Sequence, residues 1–221
     1  MSELFLRKRE ERERLEHDLL SPAATKSDES KGREEDEEPD EYRTAFERDR
    51  DRIVHSKAFR RLKHKTQVFL NPEGDHYVTR LTHTLQVTQV GRAMAVALGL
   101  NQTLTEAICL AHDVGHSPFG HTGEDALSPY VDGDWLQAHH GVRTLRLLEP
   151  LNLTHEVLDG VRAHSWRIDP PPETPEGMLC RFADRIAYLT HDVADALRAG
   201  VLEYHEIPTR VLTRFGATAR E

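Results

Sequence analysis

A chain of 221 residues with 38% hydrophobic and 30% charged side chains is long enough to bury a sizeable core, and its surface is heavily charged. It holds no apolar run long enough to span a bilayer and no signal-peptide pattern at its start. Its two cysteines, Cys109 and Cys180, fall on apolar helix faces, so membrane and disulfide-built classes are excluded and a cytoplasmic protein is expected.

The net charge of −9 is unevenly divided. Residues 3–20, rich in Glu, Arg and Leu, read as a peripheral helix that Ser21-Pro22 ends. Residues 28–41 carry nine acidic and two basic side chains, which predicts a solvated, mobile loop. Together these form an appendage, 1–41, to a domain spanning 42–221. Residues 42–65 reverse the balance with nine basic and three acidic side chains. Their pattern from Thr44 to about Lys65 is helical, with Phe46, Ile53, Ala58 and Leu62 available for the core. Arg60, Arg61, Lys63 and Lys65 near its end either meet phosphates or pair with neighbouring acids.

A short extended piece (67–70) and a turn (71–74) lead to an amphipathic helix over 79–98. Gly99 terminates it, and His83 lies near its first turn. A helix over 103–114 follows, with Thr103 and Glu106 as a capping box and Leu104, Ile108 and Ala111 as its apolar stripe. Gly115 and Pro118 break it, so His116 and His121 fall on a turn. A short helix is predicted over 123–127 and another over 135–148, carrying His139 and His140. Thr154 caps a helix running to about His164. After a proline-rich loop (169–174), Pro175 starts the last strong helix, which runs to Arg198. Strand content is low and no internal repeat is present, so the fold class is all-α.

Half of the fourteen histidines lie between His76 and His140, a concentration that solvation alone does not explain. His112 and Asp113 are adjacent, and helical neighbours point about 100° apart, close enough to take two positions on one ion. A lone His-Asp pair would serve equally well as a capped helix end. His83 on the preceding helix and Asp184 on a later one change that balance, because the three helices together can close around one metal. Asp184, Tyr188 and Asp192 share one stripe of the last helix, whereas Asp195 and Arg198 fit a solvated face. His155-Glu156 and His205-Glu206 lack the second histidine four residues on that a zinc-protease helix needs.

The pattern resembles that of the HD phosphohydrolases. Four stretches resemble, in order, the deoxyguanosine triphosphate triphosphohydrolase (dGTPase) family in its bacterial dGTPase-like branch. They are Ser56-Lys-Ala-Phe-Arg-Arg-Leu-Lys-His-Lys-Thr-Gln-Val-Phe69, Gly74-Asp-His-Tyr-Val-Thr-Arg-Leu-Thr-His83, Leu110-Ala-His-Asp-Val-Gly-His-Ser-Pro-Phe-Gly-His121 and Ala183-Asp-Arg-Ile-Ala-Tyr188. The chain looks like an N-terminal part of a longer family pattern.

The resemblance implies an HD-domain helical fold with a divalent metal held by His83, His112, Asp113 and Asp184. No ligand in that set is soft, so Mg²⁺ or Mn²⁺ suits it, with Fe or Zn also tolerated. It further implies hydrolysis of a dNTP to deoxynucleoside and inorganic triphosphate. His116, His121 and His140 would be the catalytic histidines, although Ala138-His-His-Gly141 departs from the family segment that supplies the last of them. Arg80 would bind phosphate, Gln67 and Asp192 the sugar 3′-hydroxyl, and Tyr188 would leave no room for a 2′-hydroxyl. A homo-oligomer is the family habit. The competing readings are a non-catalytic HD domain that binds nucleotide or nucleic acid through the basic helix, and another HD phosphohydrolase acting on a nucleoside monophosphate or an alarmone.

Overall fold

The helix that the sequence marks as most apolar lies at the centre. In the computed structural model, which describes residues 5–69, 77–130 and 140–216, α5 (Gln102–Ala111) buries seven of its ten residues, from Leu104 and Thr105 through Ala107 to Ala111. Around it pack α2 (Ala45–His55), α4 (Arg80–Leu98), α8 (His155–Arg162) and α9 (Pro175–Arg198). Their shared core includes Phe46, Ile53, Leu62, Val87, Ile108, Leu145, Val157 and Ala183. Among the described residues there is no strand, only isolated bridges at Arg33–Thr154 and Thr66–Thr79.

The long helices begin and end where local chemistry requires. The Thr79 hydroxyl accepts the Thr82 amide at the start of α4, and Gly99 ends that helix at φ 65°. A β-carbon at Gly99 would stand 2.7 Å from Ser21 Oγ, so position and conformation both demand glycine. Thr174 caps α9 on the Gly177 amide with Pro175 at the first turn. The cap of α5 differs from expectation: Asn101 accepts from Thr103 and Leu104, both at 3.1 Å, in place of a Thr103–Glu106 box. Glu106 instead faces Arg50 and Arg92.

The helix expected over 44–65 is interrupted at Ser56. It divides into α2, α3 (Lys57–Arg61) and a 3₁₀ turn over Leu62–His64. Ser56 Oγ accepts the Phe59 amide at 3.0 Å, while the Glu149 carboxylate accepts the amides of Lys57 and Ala58 at 2.7 and 2.8 Å. A new helix start thus draws its cap from more than ninety residues away.

Residues 20–43, which follow α1 (Arg9–Leu19), are irregular as expected but closely held, in place of a solvated loop. Buried Glu176 accepts the amide and hydroxyl of Thr25. Buried Glu156 accepts the Lys31 amide and the Ser30 hydroxyl, each at 2.7 Å. Arg33 reaches Asp49, Glu37 and the carbonyls of Asn152 and Ala45.

Further along, α6 covers Gly120–Leu127. Of the helix expected over 135–148, residues 135–139 lie outside the described residues. From there α7 (His140–Arg143) continues into a π-type turn, Thr144–Leu148. Asp195, expected on a solvated face, is buried and accepts the Val78 amide at 3.0 Å while pairing with Arg198. A short α10 (Thr209–Phe215) lies beyond the last predicted element. Cys109 and Cys180 are buried free thiols. Among the described residues no helix is long and apolar enough to cross a membrane.

Candidate active site

His112 and Asp113 sit directly at the end of α5, where the chain still turns as a helix. His112 Nδ1 lies 2.7 Å from the Cys109 carbonyl oxygen. That oxygen can only accept, so the proton is on Nδ1 and the lone pair is on Nε2. Nε2 has no hydrogen-bond partner although the residue is 1% exposed. His83 from α4 places its Nε2 3.0 Å from Asp184 Oδ1 of α9. His112 Nε2 is 3.8 Å from the same oxygen and 3.9 Å from Asp113 Oδ1.

One donor atom each from His83, His112 and Asp113 lies within 4.8 Å of the others. Two imidazoles and the carboxylates beside them, with an unpartnered imidazole nitrogen pointing inward, are a donor set that fits a divalent cation.

The charges reinforce one another. Burial alone would raise the Asp113 pKa, but Arg80 and the histidines hold it well below the usual carboxylate range. Burial opposes charge on His83 as well, yet the hydrogen bond to Asp184 and the nearby carboxylates raise its pKa. Asp184 is lowered, its hydrogen bond to His83 and the His112 ring outweighing burial and the repulsion of Asp113.

The cluster opens into a cavity of about 330 Å³ whose lining includes Gln67, Arg80, His83, Asp113, His116, Asp184 and Tyr188. Most of the residues singled out in the sequence therefore meet at one place. Asp192 is one turn of α9 beyond Tyr188, and burial raises its pKa. Besides His112 Nε2, the buried atoms without a partner include Gln67 Oε1, Arg80 Nε and Asp192 Oδ2. Gln67 and Arg80 line the cavity, and unsatisfied polar atoms there are the mark of a ligand site.

Arg80 is not free to reach outward. It is 6% exposed and its Nη1 donates to Asp113 Oδ2 at 3.0 Å. Gly120, at φ 56°, makes room for it, since a β-carbon there would lie 2.7 Å from Arg80 Nη2.

His116 lies just past Gly115, which turns at φ 88°. Its Nε2 is 3.4 Å from Asp113 Oδ1 and its Nδ1 2.5 Å from Glu124 Oε1. The Lys65 ammonium donates to the His116 carbonyl. His121 lies in the first turn of α6, not on a free turn, and His140 opens α7. Their side chains, and all of His139, lie outside the described residues.

Sequence reasoning missed Glu124, His164, Trp166 and Arg185. The His164 ring meets the His112 ring edge-on at 5.5 Å. Glu124 had a readable signal, an acid eight residues after His116 on a helical piece. His164 had none, because its approach depends on α8 packing against α5.

An HD-domain family model matches residues 80–189, the span that carries all four candidate metal ligands. The chain belongs to the HD-domain family. This HD protein is 52% identical over 212 residues to a deoxyguanosinetriphosphate triphosphohydrolase-like protein of Caldanaerobacter subterraneus, a match covering 94% of the chain and 62% of the relative. Proteins of the same description from Clostridium perfringens and Desulfatibacillum aliphaticivorans are 50% and 49% identical, each match covering 96% of the chain and 64% of the relative. The similarity places the chain in the dGTPase-like branch of the HD family. It spans less than two thirds of the length of these relatives.

Proposed function

We propose that the chain is a metal-dependent phosphohydrolase acting on deoxynucleoside triphosphates, releasing the deoxynucleoside and inorganic triphosphate. The observation that carries this reading is the convergence of His83, His112, Asp113 and Asp184 with Gln67, Arg80, His116 and Tyr188 around one cavity. A divalent ion held by the first four, Mg²⁺ or Mn²⁺ by the hardness of the set, supplies Lewis acidity toward a phosphate oxygen.

Water adds to the α-phosphorus, the bond to the 5′ oxygen breaks, and that oxygen takes up a proton. Histidine suits the proton transfer at neutral pH. Glu124 beside His116 Nδ1 fixes the orientation of that ring. His121, in the first turn of α6, and His140 are the other candidates for the donor. Tyr188, half exposed at the cavity wall, would exclude a 2′-hydroxyl, and Gln67 and Asp192 offer unpartnered oxygens to a sugar hydroxyl.

The test is incubation of the chain with each dNTP and each divalent metal, analysing the released phosphate species. Triphosphate as the product supports the reading. Orthophosphate or pyrophosphate would replace it with another HD phosphohydrolase.

One observation supports a further partner. Lys57, Arg60, Arg61 and Lys63 are exposed and, among the described residues, make no ion pair, so a nucleotide effector or a nucleic acid could bind there. Electrophoretic mobility of single-stranded DNA with the wild type and a Lys57→Gln/Arg60→Gln/Lys63→Gln variant tests it. Self-association, also proposed, is read by light scattering.

A further inference from the structure

Between α8 and α9 the chain makes a tight turn over 163–168 that none of the roles above uses. Arg181 holds it in place. This residue is 4% exposed, and its guanidinium donates to the carbonyls of Ala163, Ser165 and Ile168 at 2.5, 2.9 and 2.8 Å. The turn presents Trp166 to the cavity lined by His83, Asp113 and Asp184. The indole is itself fixed: Nε1 donates to the Arg181 carbonyl at 3.3 Å, and the ring meets Phe182 edge-on at 5.1 Å. It nevertheless remains 41% exposed. What it carries is cationic. The Arg185 guanidinium stands 4.9 Å from the ring centre, within the range of a cation–π contact.

Arg185 and Arg167 both line the cavity. Neither makes an ion pair among the described residues, in a chain of net charge −9 whose arginines are mostly paired. The cavity is therefore polarised along α9. At about 1.5 Å per residue, Arg181 lies about 4.5 Å to one side of Asp184 and Asp192 about 12 Å to the other. Arg167 stands on the turn that Arg181 holds, and Arg185, one residue past Asp184, is tied to the same turn through its contact with Trp166. The other side has Tyr188 and the Asp192 carboxylate, where a polyanion would be repelled.

We propose that Trp166 is a positioning residue for substrate phosphate: its indole holds Arg185 at the lip of the cavity, where Arg185 and Arg167 receive the terminal phosphates of a triphosphate chain. This inference rests on the dNTP reading above and gives the bound nucleotide a direction, with its anionic tail toward the 163–168 turn and its sugar toward Asp192.

The test uses the full chain and two probes that cannot be turned over, inorganic triphosphate and 2′-deoxyguanosine. The chain has two tryptophans, so Trp135→Phe leaves Trp166 as the sole indole emitter. Triphosphate should shift or quench its emission saturably, and deoxyguanosine should not. By calorimetry on the otherwise intact chain, Trp166→Ala should weaken triphosphate binding about 3- to 30-fold, the span of a cation–π contact. Trp166→Phe should restore most of it, and neither change should move deoxyguanosine binding. Wild-type triphosphate affinity in Trp166→Ala overturns the proposal. So does emission that responds to deoxyguanosine and not to triphosphate. Either result leaves the dNTP reading standing if dNTP hydrolysis persists, whereas absence of both dNTP hydrolysis and triphosphate binding removes the two together.

Discussion

Asp49→Asn tests how the acidic N-terminal segment is held to the helical core. Asp49 is fully buried. One carboxylate oxygen takes Arg33, and the other accepts the amide and hydroxyl of Thr154 at 2.9 and 2.7 Å. An asparagine of nearly the same shape can keep its oxygen toward only one of these partners, so an NH₂ group must face either a guanidinium or the Thr154 donors. Removing one member of a buried ion pair costs about 3–5 kcal/mol. Arg33 keeps Glu37 and the carbonyls of Asn152 and Ala45, which sets the expectation at about 3 kcal/mol, the lower end of that range. For a chain of this size that is a fall in Tm of about 6–12 °C. Thermal unfolding followed by circular dichroism measures it. Combining Asp49→Asn with Arg33→Met should cost less than the two single losses added, because the second change removes the stranded charge. A fall of under about 3 °C, or simple additivity in the double variant, would refute the account of a segment anchored through this pair.

His112→Ala should abolish divalent metal uptake, read by metal analysis of the purified variant, with helix content unchanged. Asp113→Ala should do the same at a larger cost in Tm, because it strands the buried Arg80 guanidinium. Tyr188→Ala should narrow the preference for dGTP over GTP, measured as the ratio of kcat/KM. His121→Ala and His140→Ala should each lower kcat by about 10²–10⁴ with metal content retained, while His139→Ala stays near wild type. On acidification, Glu37 should go on holding the segment below the pH at which ordinary carboxylates protonate. Its hydrogen bond to Arg52 leads the effects that, against burial, hold its pKa below the usual 4.5. The stability it contributes is present above that pH and is lost as pH falls through the depressed value, which limited proteolysis within 28–41 at stepped pH would detect.

The two long helices beside the candidate metal ligands were legible because their ends are punctuated locally, by Thr79 and Gly99 for α4 and by Pro175 for α9. That His83, His112, Asp113 and Asp184 come together was legible because three separate helices carry ligand types in a recognisable order. What escaped the sequence depends on partners far along the chain. Ser56 divides a helix because Glu149 caps the next one. Residues 28–41 hold their place because buried carboxylates at Asp49 and Glu156 accept from them. Asp195 has the spacing of a surface residue, yet the Val78 amide draws it inward. At the α5 start, Asn101 one residue earlier took the role that Thr103 and Glu106 suggested, since its side chain satisfies two amides at once.

The Glu149 carboxylate joins two regions that the chain otherwise keeps apart. It lies just beyond the π-type turn that follows α7, whose first residue is His140, and it receives the opening amides of α3, from which the chain runs on to Gln67. A proton-transfer candidate and a sugar-contact candidate thus stand on a common footing. Displacement of Glu149 would loosen the start of α3 and the end of the π-type turn at once, and a single distant substitution could detune the pocket without touching any group that lines it.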